Sequence, residues 1–423
     1  MLKIGVAQLD ITPPNSVWLT GYGNRDHRSE GVYQALRAGA LFLQGAPGAA
    51  LILSADLIGY SSAFAAGAKL ALSEATGLHP GQIVLTATHT HCAPFFTPWM
   101  MPGQLEPGYA ALVQDRFVEL ARRACAGAVP GRLAFSRGRS TFGVNRRLPD
   151  GQGGVHFAPN PDGTIDRDLD TLWCSDAQGL PLASLTFYGC HPTSRGGYLI
   201  GGDYPGYLTR ALEEETGAPA FFATGCAGDV RPWFKSETGG FATPDLDQLE
   251  AAGRAMAAEV LQSQPTPVAA DQLRLAGAFH LLPYADPPTR EKLQAMAADP
   301  ANPLLQQWAG LMLQNLDRGP LPTACPQEIQ VLQLNSDLRL VFLGGEILSA
   351  IGLHLKEVRR PATTVVAGYS NGLIGYVPSQ DTYDLGGYEV DGSHYYFLRP
   401  APFARDAESR ILAQTQALVR TLG

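Results

Sequence analysis

The sequence predicts an α/β fold in which mixed β-sheets are layered between α-helices in a single large domain. Three observations carry this. Short apolar runs bounded by Gly and Pro alternate with longer stretches of helix formers. The 423 residues are 45% hydrophobic and only 17% charged, which is ample material for a core. The 47 glycines and 32 prolines are spread along the chain, and no repeat or low-complexity tract marks a linker.

Residues 4–9 form the first expected strand, stopped by Thr12-Pro13-Pro14. The loop LTGYGNRDHRSEG at 19–31 is rich in glycine and in hydrogen-bond donors. It either stays solvated or meets a ligand, because its polar groups cannot be buried without partners. AGALFLQG and AALILSADLIGY read as two strands around a turn at 45–48, the second leaving Asp56 at its end. Helix formers fill 62–76 up to Gly77. A second helix is expected over about 106–126, with apolar spacing at Leu112, Phe117, Leu120 and Ala121 and a stop at Pro130-Gly131. Between these helices GQIVLTATHTHCAP, at 81–94, is a strand that runs out into His89 and His91.

A further strand region begins at 132–136 and leads to TFGVNRRLPDG. Its Arg146 and Arg147 are expected in a loop, solvated unless Phe142 and Val144 draw one inward. TIDRDLDTLWCSD and LASLTFYGCHPTS give two more strands, the second ending at His191. Asp203 is a candidate N-cap for a helix of about 205–216 closed by Gly217. The strand APAFFATG opens into GCAGDVRPWF, whose glycines form either an ordinary turn or one with free N–H groups for an oxyanion. Helices are expected over 244–262 and 288–316 with a strand around 273–282 between them, making about 240–325 a mostly helical elaboration. EIQVLQLNSDLRLVFLGGE gives two strands around Asn335-Ser336-Asp337, and Gly344-Gly345-Glu346 opens the helix ILSAIGLHLKEV. The strand TVVAGYSNG, a tyrosine-rich stretch over 376–396 and a helix of about 403–421 complete the order.

The formal net charge of −8, with no basic cluster, speaks against nucleic acid or an anionic membrane as partner. No apolar run approaches the roughly 20 residues of a membrane helix. The start, MLKIGVAQLDITPP, lacks the basic and apolar regions of a secretory signal. Six cysteines, at 92, 125, 174, 190, 226 and 325, show no CxxC and read as buried thiols of a reduced compartment. Cytoplasm is the expected location.

Chemistry gathers at the strand ends. In THTHCAP the two imidazoles lie two residues apart, so on a strand they share a face. That pair suits a metal or acid–base site, or one ring that packs and one that bonds to backbone. His191 repeats the pattern, followed by Pro192, which forbids ladder pairing. Ligand sites in layered α/β folds lie just beyond strand ends, so two histidine-ending strands favour convergence on one metal pocket. Glu346 is either a third hard ligand or a first-turn acid favoured by the helix dipole. His394 and the nearby tyrosines line a pocket or simply pack.

Taken in order, GYGNRDHRSEGVYQALRAGALFL, LSADL, THTHCAP, VNRR, CHPTS, GGDYPGYL, GCAGDVRP, GGE and GGYE resemble the catalytic domain of the neutral/alkaline, non-lysosomal ceramidase family over roughly 5–395. The resemblance implies one catalytic zinc held by His89, His191 and Glu346, with Tyr388 of GGYE as the tyrosine ligand. It makes His91 a supporter of the ligands or the transition state, and Arg146 a binder of substrate or oxyanion. Tyr376, Asp229 and Phe95, in or beside these segments, are the expected substrate contacts. Two neutral imidazoles and a carboxylate leave zinc net positive and open to water, whose pKa falls to about 7. Metal-assisted hydrolysis of an amide is the implied reaction.

The departures are equally specific. Ceramide-cleaving members of that family carry serine in GDVSP, whereas GDVRP here places Arg231. Arginine stays protonated and cannot attack, so water becomes the better nucleophile. Arg231 suits a carboxylate or phosphate instead, and stands with His91 and Arg146 among the candidate catalytic groups. CAPFFTPWMMPG replaces a glycine-rich stretch with bulky residues that reshape the pocket mouth. The chain ends near the catalytic domain, leaving no room for the C-terminal β-sandwich of the larger enzymes. The expected activity is zinc-dependent amide hydrolysis of a small N-acyl compound with an anionic group, ceramide being one candidate. The alternatives are a zinc ester or lactone hydrolase and a non-catalytic ligand-binding relative.

Overall fold

Many of the long strands are apolar at successive positions rather than alternate ones, and the layering explains why. The computed structural model describes residues 2–97, 99–270, 272–358 and 362–422. Its nine-stranded sheet runs from β1 (Lys3–Asp10) through β3 (Arg37–Gln44) and β4 (Ala49–Ala55) to β5 (Ile83–Ala87). On the other side of β1 come β6 (Val129–Arg139), β9 (Asp168–Asp176), β10 (Pro181–Tyr188) and β12 (Ala220–Thr224), with β14 (Thr266–Val268) paired to β6. A four-stranded sheet has the order β15 (Arg274–Pro283), β16 (Ala324–Gln333), β17 (Leu338–Leu343), β19 (Thr363–Ala367). A three-stranded sheet joins β13 (Val230–Pro232), β7 (Gly143–Pro149) and β8 (Val155–Asn160). Two short pairs complete the set: β2 (Gly31–Val32) with β11 (Leu199–Ile200), and β18 (Glu346–Ile347) with β20 (Tyr376–Val377).

The helices are α1 (Ser62–Thr76), α2 (Pro107–Ala126), α3 (Asp203–Thr216), α4 (Leu246–Gln262), α5 (Arg290–Ala298), α6 (Pro303–Arg318), α7 (Ser349–Glu357) and α8 (Ala407–Leu422). Leu51 and Leu53 of β4 pack with Leu72 of α1 and Phe117 of α2. Their neighbours Ala50 and Ile52 face the other way, against Leu340 and Phe342 of β17. In β17 the alternation repeats, with Val341 and Leu343 packed among Ile351 and Leu355 of α7 and Ile411 and Leu418 of α8. Successive residues of a strand point to opposite faces, so a strand buried on both faces must be apolar throughout. The result is helices, sheet, sheet, helices. On the far half of the large sheet, Leu208 and Leu212 of α3 and Met256 and Val260 of α4 cover Phe222 of β12.

Several boundaries depart from expectation for local reasons. The helix expected over 288–316 is two, because Asn302 caps a new helix that starts on Pro303. Proline lacks the N–H that a continuing helix would need, and favours the first turn instead. Pro130-Gly131 lies within β6, and α2 ends already at Gly127. Asp203 is the first residue of α3, and Gly202 takes the N-cap position. Glu346 does not open a helix: it belongs to β18, and α7 starts at Ser349. Within 240–325, β15 joins the four-stranded sheet alongside α4, α5 and α6. All six cysteines are free thiols, five of them buried and Cys125 half-buried. Among the described residues no helix is long and apolar enough to cross a membrane.

The parallel pairs β4–β5, β10–β12 and β17–β19 send their C-terminal ends toward one region. The sheet-to-sheet interface that holds them together is testable. Phe342→Ala, in that interface, is expected to cost about 3–5 kcal/mol in chemical denaturation. Phe279→Ala, at a side chain 67% exposed on β15, is expected to change stability by less than about 0.5 kcal/mol.

Candidate metal centre

Beyond the end of β5 the chain is held by main-chain bonds to the segment after β4. Thr88 N–H donates to Ala55 O and His89 N–H to Leu57 O, each at 2.9 Å. His89 has φ 64°, Tyr369 just after β19 has φ 50°, and Asp203 has φ 55°. Left-handed backbone at non-glycine residues costs roughly 1–3 kcal/mol each and gathers where the surrounding structure over-determines it. Asp203 shows how: its carboxylate accepts Ser194 N–H at 3.0 Å and Ser194 Oγ–H at 2.5 Å, fixing the loop that follows His191.

Each of three imidazoles is tethered through Nδ1 to a carbonyl oxygen. His89 reaches Ile58 O at 2.5 Å, His191 reaches Ala227 O at 2.6 Å, and His91 reaches Gly21 O at 3.1 Å. Gly21 has φ 94°, and a Cβ there would stand 2.3 Å from His91 Nδ1, so the position requires glycine. A carbonyl accepts only, so each Nδ1 carries the proton and each Nε2 presents a lone pair. These lone pairs face one another: Nε2 of His89 lies 3.1 Å from that of His191 and 3.3 Å from that of His91.

Glu346 closes the cluster. Its Oε2 lies 3.0 Å from His191 Nε2 and 3.3 Å from His89 Nε2, and is buried with no hydrogen-bond donor. Burial lowers His191 to about 4, helped by Arg146, and lowers His91 well below its ordinary value, helped by the other two rings. The ligand atoms of the three buried rings lie within 4.8 Å of one another, and Glu346 Oε2 stands against two of them, an arrangement that suits a cation. Zinc bonds near 2.0–2.1 Å in a tetrahedron place neighbouring nitrogens about 3.3 Å apart, close to the spacing between His89 and each of the other two rings. The tethers at Nδ1 are also what orient metal-binding imidazoles.

The tyrosine at this cluster is Tyr376, and Tyr388 is not in contact with it. Tyr376 stands opposite Glu346 in the parallel β18–β20 pair. Its hydroxyl lies 3.4 Å from His191 Nε2 and 3.2 Å from Arg146 Nη2. Tyr388 is 38% exposed, and its ring packs edge-on against Tyr376 at 5.3 Å. Tyr376, expected at the substrate, thus stands beside the cluster, and Tyr388, expected at the metal, lies behind it. The hydroxyl of Tyr369 adds a contact of 3.3 Å to His191 Nδ1, and its ring lies 4.1 Å from that of His89.

Arg146 and Arg147 are buried in a strand, not solvated in a loop. A register shift between Asn145 and Arg147 in the β7–β8 pairing lets both side chains reach one carboxylate. Glu389 accepts Arg146 Nε–H at 2.8 Å through Oε1 and Arg147 Nη1–H at 2.6 Å through Oε2. No protein-family model matches the chain. By sequence it is similar to neutral ceramidase A of Dictyostelium discoideum, at 25% identity over 174 residues, covering 36% of this chain and 24% of that protein. Neutral ceramidase B of the same organism matches at 24% identity over 259 residues, 54% of this chain and 35% of that protein. These alignments thus span about a quarter and a third of the relatives' lengths. The crystal structure of neutral ceramidase from Pseudomonas aeruginosa superposes over 100% of this chain and 74% of its own, with TM-score 0.75 and 21% identity. The chain has the neutral ceramidase fold. A structure of ceramidase complexed with C2 gives TM-score 0.77 at 20% identity, over 100% of this chain and 75% of that one.

On this ceramidase fold the remaining expected residues take other places. Phe95, expected at the substrate, is buried in the core with Trp99, Phe96 and Tyr109. Asp229 is spent internally: its carboxylate accepts Ser349 N–H at 2.8 Å and Asn145 Nδ2–H at 3.0 Å, and burial raises it to about 6. In the glycine turn, read as either an ordinary turn or an oxyanion site, Gly225, Gly228 and Val230 donate to Tyr188 O, Ile347 O and Ala227 O, as an ordinary turn does. His394 stacks beside Tyr395 and Trp308, away from the cluster. Arg231 lies on β13, paired to β7 next to Arg146, and donates from Nη2 to Thr193 O at 3.0 Å.

Substitutions separate the two tyrosines. His89→Ala, His191→Ala and Glu346→Ala are each expected to leave well under one metal ion per chain by elemental analysis. Tyr376→Phe is expected to weaken metal affinity about 10–100-fold, as loss of a supporting contact does, while Tyr388→Phe leaves it unchanged.

Proposed function

We propose that the chain is a zinc-dependent hydrolase that cleaves the C–N bond of an N-acyl compound with water. The observation that carries the reading is the buried meeting of three histidine Nε2 atoms, with Glu346 Oε2 against two of them, beside Arg146. The likeness to neutral ceramidases supports it. His89, His191 and Glu346 would hold the ion, with Tyr376 completing the donor set and His91 left free beside it. Zinc bound there supplies Lewis acidity and ionised water near pH 7.

The chain's own residues do the rest. Arg146, locked on Glu389, points Nη2 at the Tyr376 hydroxyl and keeps a fixed positive charge beside the cluster. Such prepositioned donors stabilise the oxyanion that develops as water adds to the amide carbonyl. His91 is the most open of the three rings, at 8% exposed, and marks the side from which substrate enters. Its inward lone pair takes a proton from the attacking water and passes it to the departing nitrogen. The C–N bond then breaks, leaving a carboxylate and a protonated amine. The metal donors come from residues 89 to 376, so the proposed catalytic unit runs through 1–423 with 240–325 as its elaboration. The free thiols favour work in a reduced compartment such as the cytoplasm.

Purified chain is expected to contain about one zinc and to hydrolyse N-acyl substrates. 1,10-Phenanthroline should abolish turnover and added zinc restore it. A matched panel of N-acyl and O-acyl compounds assigns the bond. Turnover confined to the O-acyl set makes the protein an esterase, and metal-free protein of full activity overturns the reading.

A further inference from the structure

Arg231 is a cation without a counter-ion. Among the described residues no carboxylate pairs with it. Its hydrogen bond goes to a neutral carbonyl, and its Nε–H is buried with no acceptor. A buried donor left open is costly, and more so on a charged group. The guanidinium lies over Phe241, 4.3 Å from the ring centroid, and 5.5 Å from the centroid of Phe157. These rings hold the cation in place without neutralising it.

The neighbours add to the charge. Arg146 lies 5.6 Å from the centroid of the same Phe157 ring, which is 60% exposed. Arg146 and Arg147 share the single carboxylate of Glu389, so one positive charge remains uncancelled. Arg25 spends its donors on the carbonyls of Gly197, Thr20 and His91 and meets no acid. Tyr22 ties this region to the donor cluster. Its hydroxyl reaches the Thr193 carbonyl that Arg231 uses, at 3.4 Å, and its ring lies edge-on 5.1 Å from His91. A positive wall thus borders the site in a protein whose net charge is −8. Such a wall gathers anions.

We propose that Arg231 receives an oxyanion, carboxylate or phosphate, carried by the substrate next to its amide. The inference rests on the hydrolase reading above and names its substrate class. The oxyanion accepts the donors that the protein leaves open, and the planar fork of arginine fixes its direction.

The test compares an N-acylglycine, the matching N-acylglycinamide and the matching N-acylethanolamine phosphate on wild type, Arg231→Gln and Arg231→Lys. Wild type is expected to favour one oxyanionic substrate over the neutral amide by about 30-fold in kcat/KM, within the range of a charge-assisted pair. Whichever anion wins identifies the group. R231Q should lose most of that preference and R231K keep part of it. Metal content and melting temperature of both variants confirm that they fold. Equal kcat/KM for neutral and anionic substrates, or an undiminished preference in R231Q, overturns the proposal. Calorimetric binding of N-acylglycine to the metal-stripped full chain separates the two claims. Binding at least about tenfold tighter than to R231Q, without hydrolysis of any substrate, sustains the anion site and sinks the hydrolase reading. Hydrolysis without any discrimination does the reverse, and absence of both binding and hydrolysis overturns the anion site.

Discussion

The structure of the site depends on three hydrogen bonds from imidazole Nδ1 to the carbonyls of Ile58, Ala227 and Gly21. Each bond fixes a tautomer, and together they turn three lone pairs toward one point. Without them the rings would find protons and partners of their own, and Glu346 would be a buried carboxylate facing ordinary donors. The backbone supplies these carbonyls from three separate loops, so the tautomers are set by the fold and not by neighbouring side chains.

The layers serve the same end. A sheet packed on both faces cannot shift without exposing one of them, so the ends of β5, β10 and β17 are held at fixed separation. The loops beyond them adopt left-handed backbone at His89 and Tyr369 because the packing beneath leaves no alternative. An apolar groove of about 360 Å³ lies elsewhere, between α1 and β15, with none of the cluster residues in its wall.

The α/β layering was legible from the sequence because the signal is local: runs of apolar residues, stops at glycine and proline, helix formers between them. His89, His191 and Glu346 stood out for the same reason, each being a polar group at the end of an apolar run. Tyr376 did not, since its place depends on two-residue strands pairing across a gap of thirty positions, which no periodicity records. The GGYE motif drew attention to Tyr388 instead, one tyrosine too far out. Arg146 and Arg147 read as a solvated doublet because a register shift, invisible in the sequence, turns both toward Glu389. Asp229 and Phe95 were misplaced because proximity to a motif does not reveal which way a side chain faces. The split at Pro303 was in plain view: Asn302-Pro303 is a start signal inside what otherwise reads as one helix.

The residues of the cluster are far apart along the chain, with His89 and His91 in one segment, His191 in another and Glu346 in a third. Bringing them together requires both large sheets to have formed and docked, and such non-local contacts close late in folding. An ion bound there would therefore not be the seed around which this protein assembles, as it is in small metal-stapled domains. It would meet a nearly finished sandwich, and its supply would set when a folded chain becomes competent rather than whether it folds.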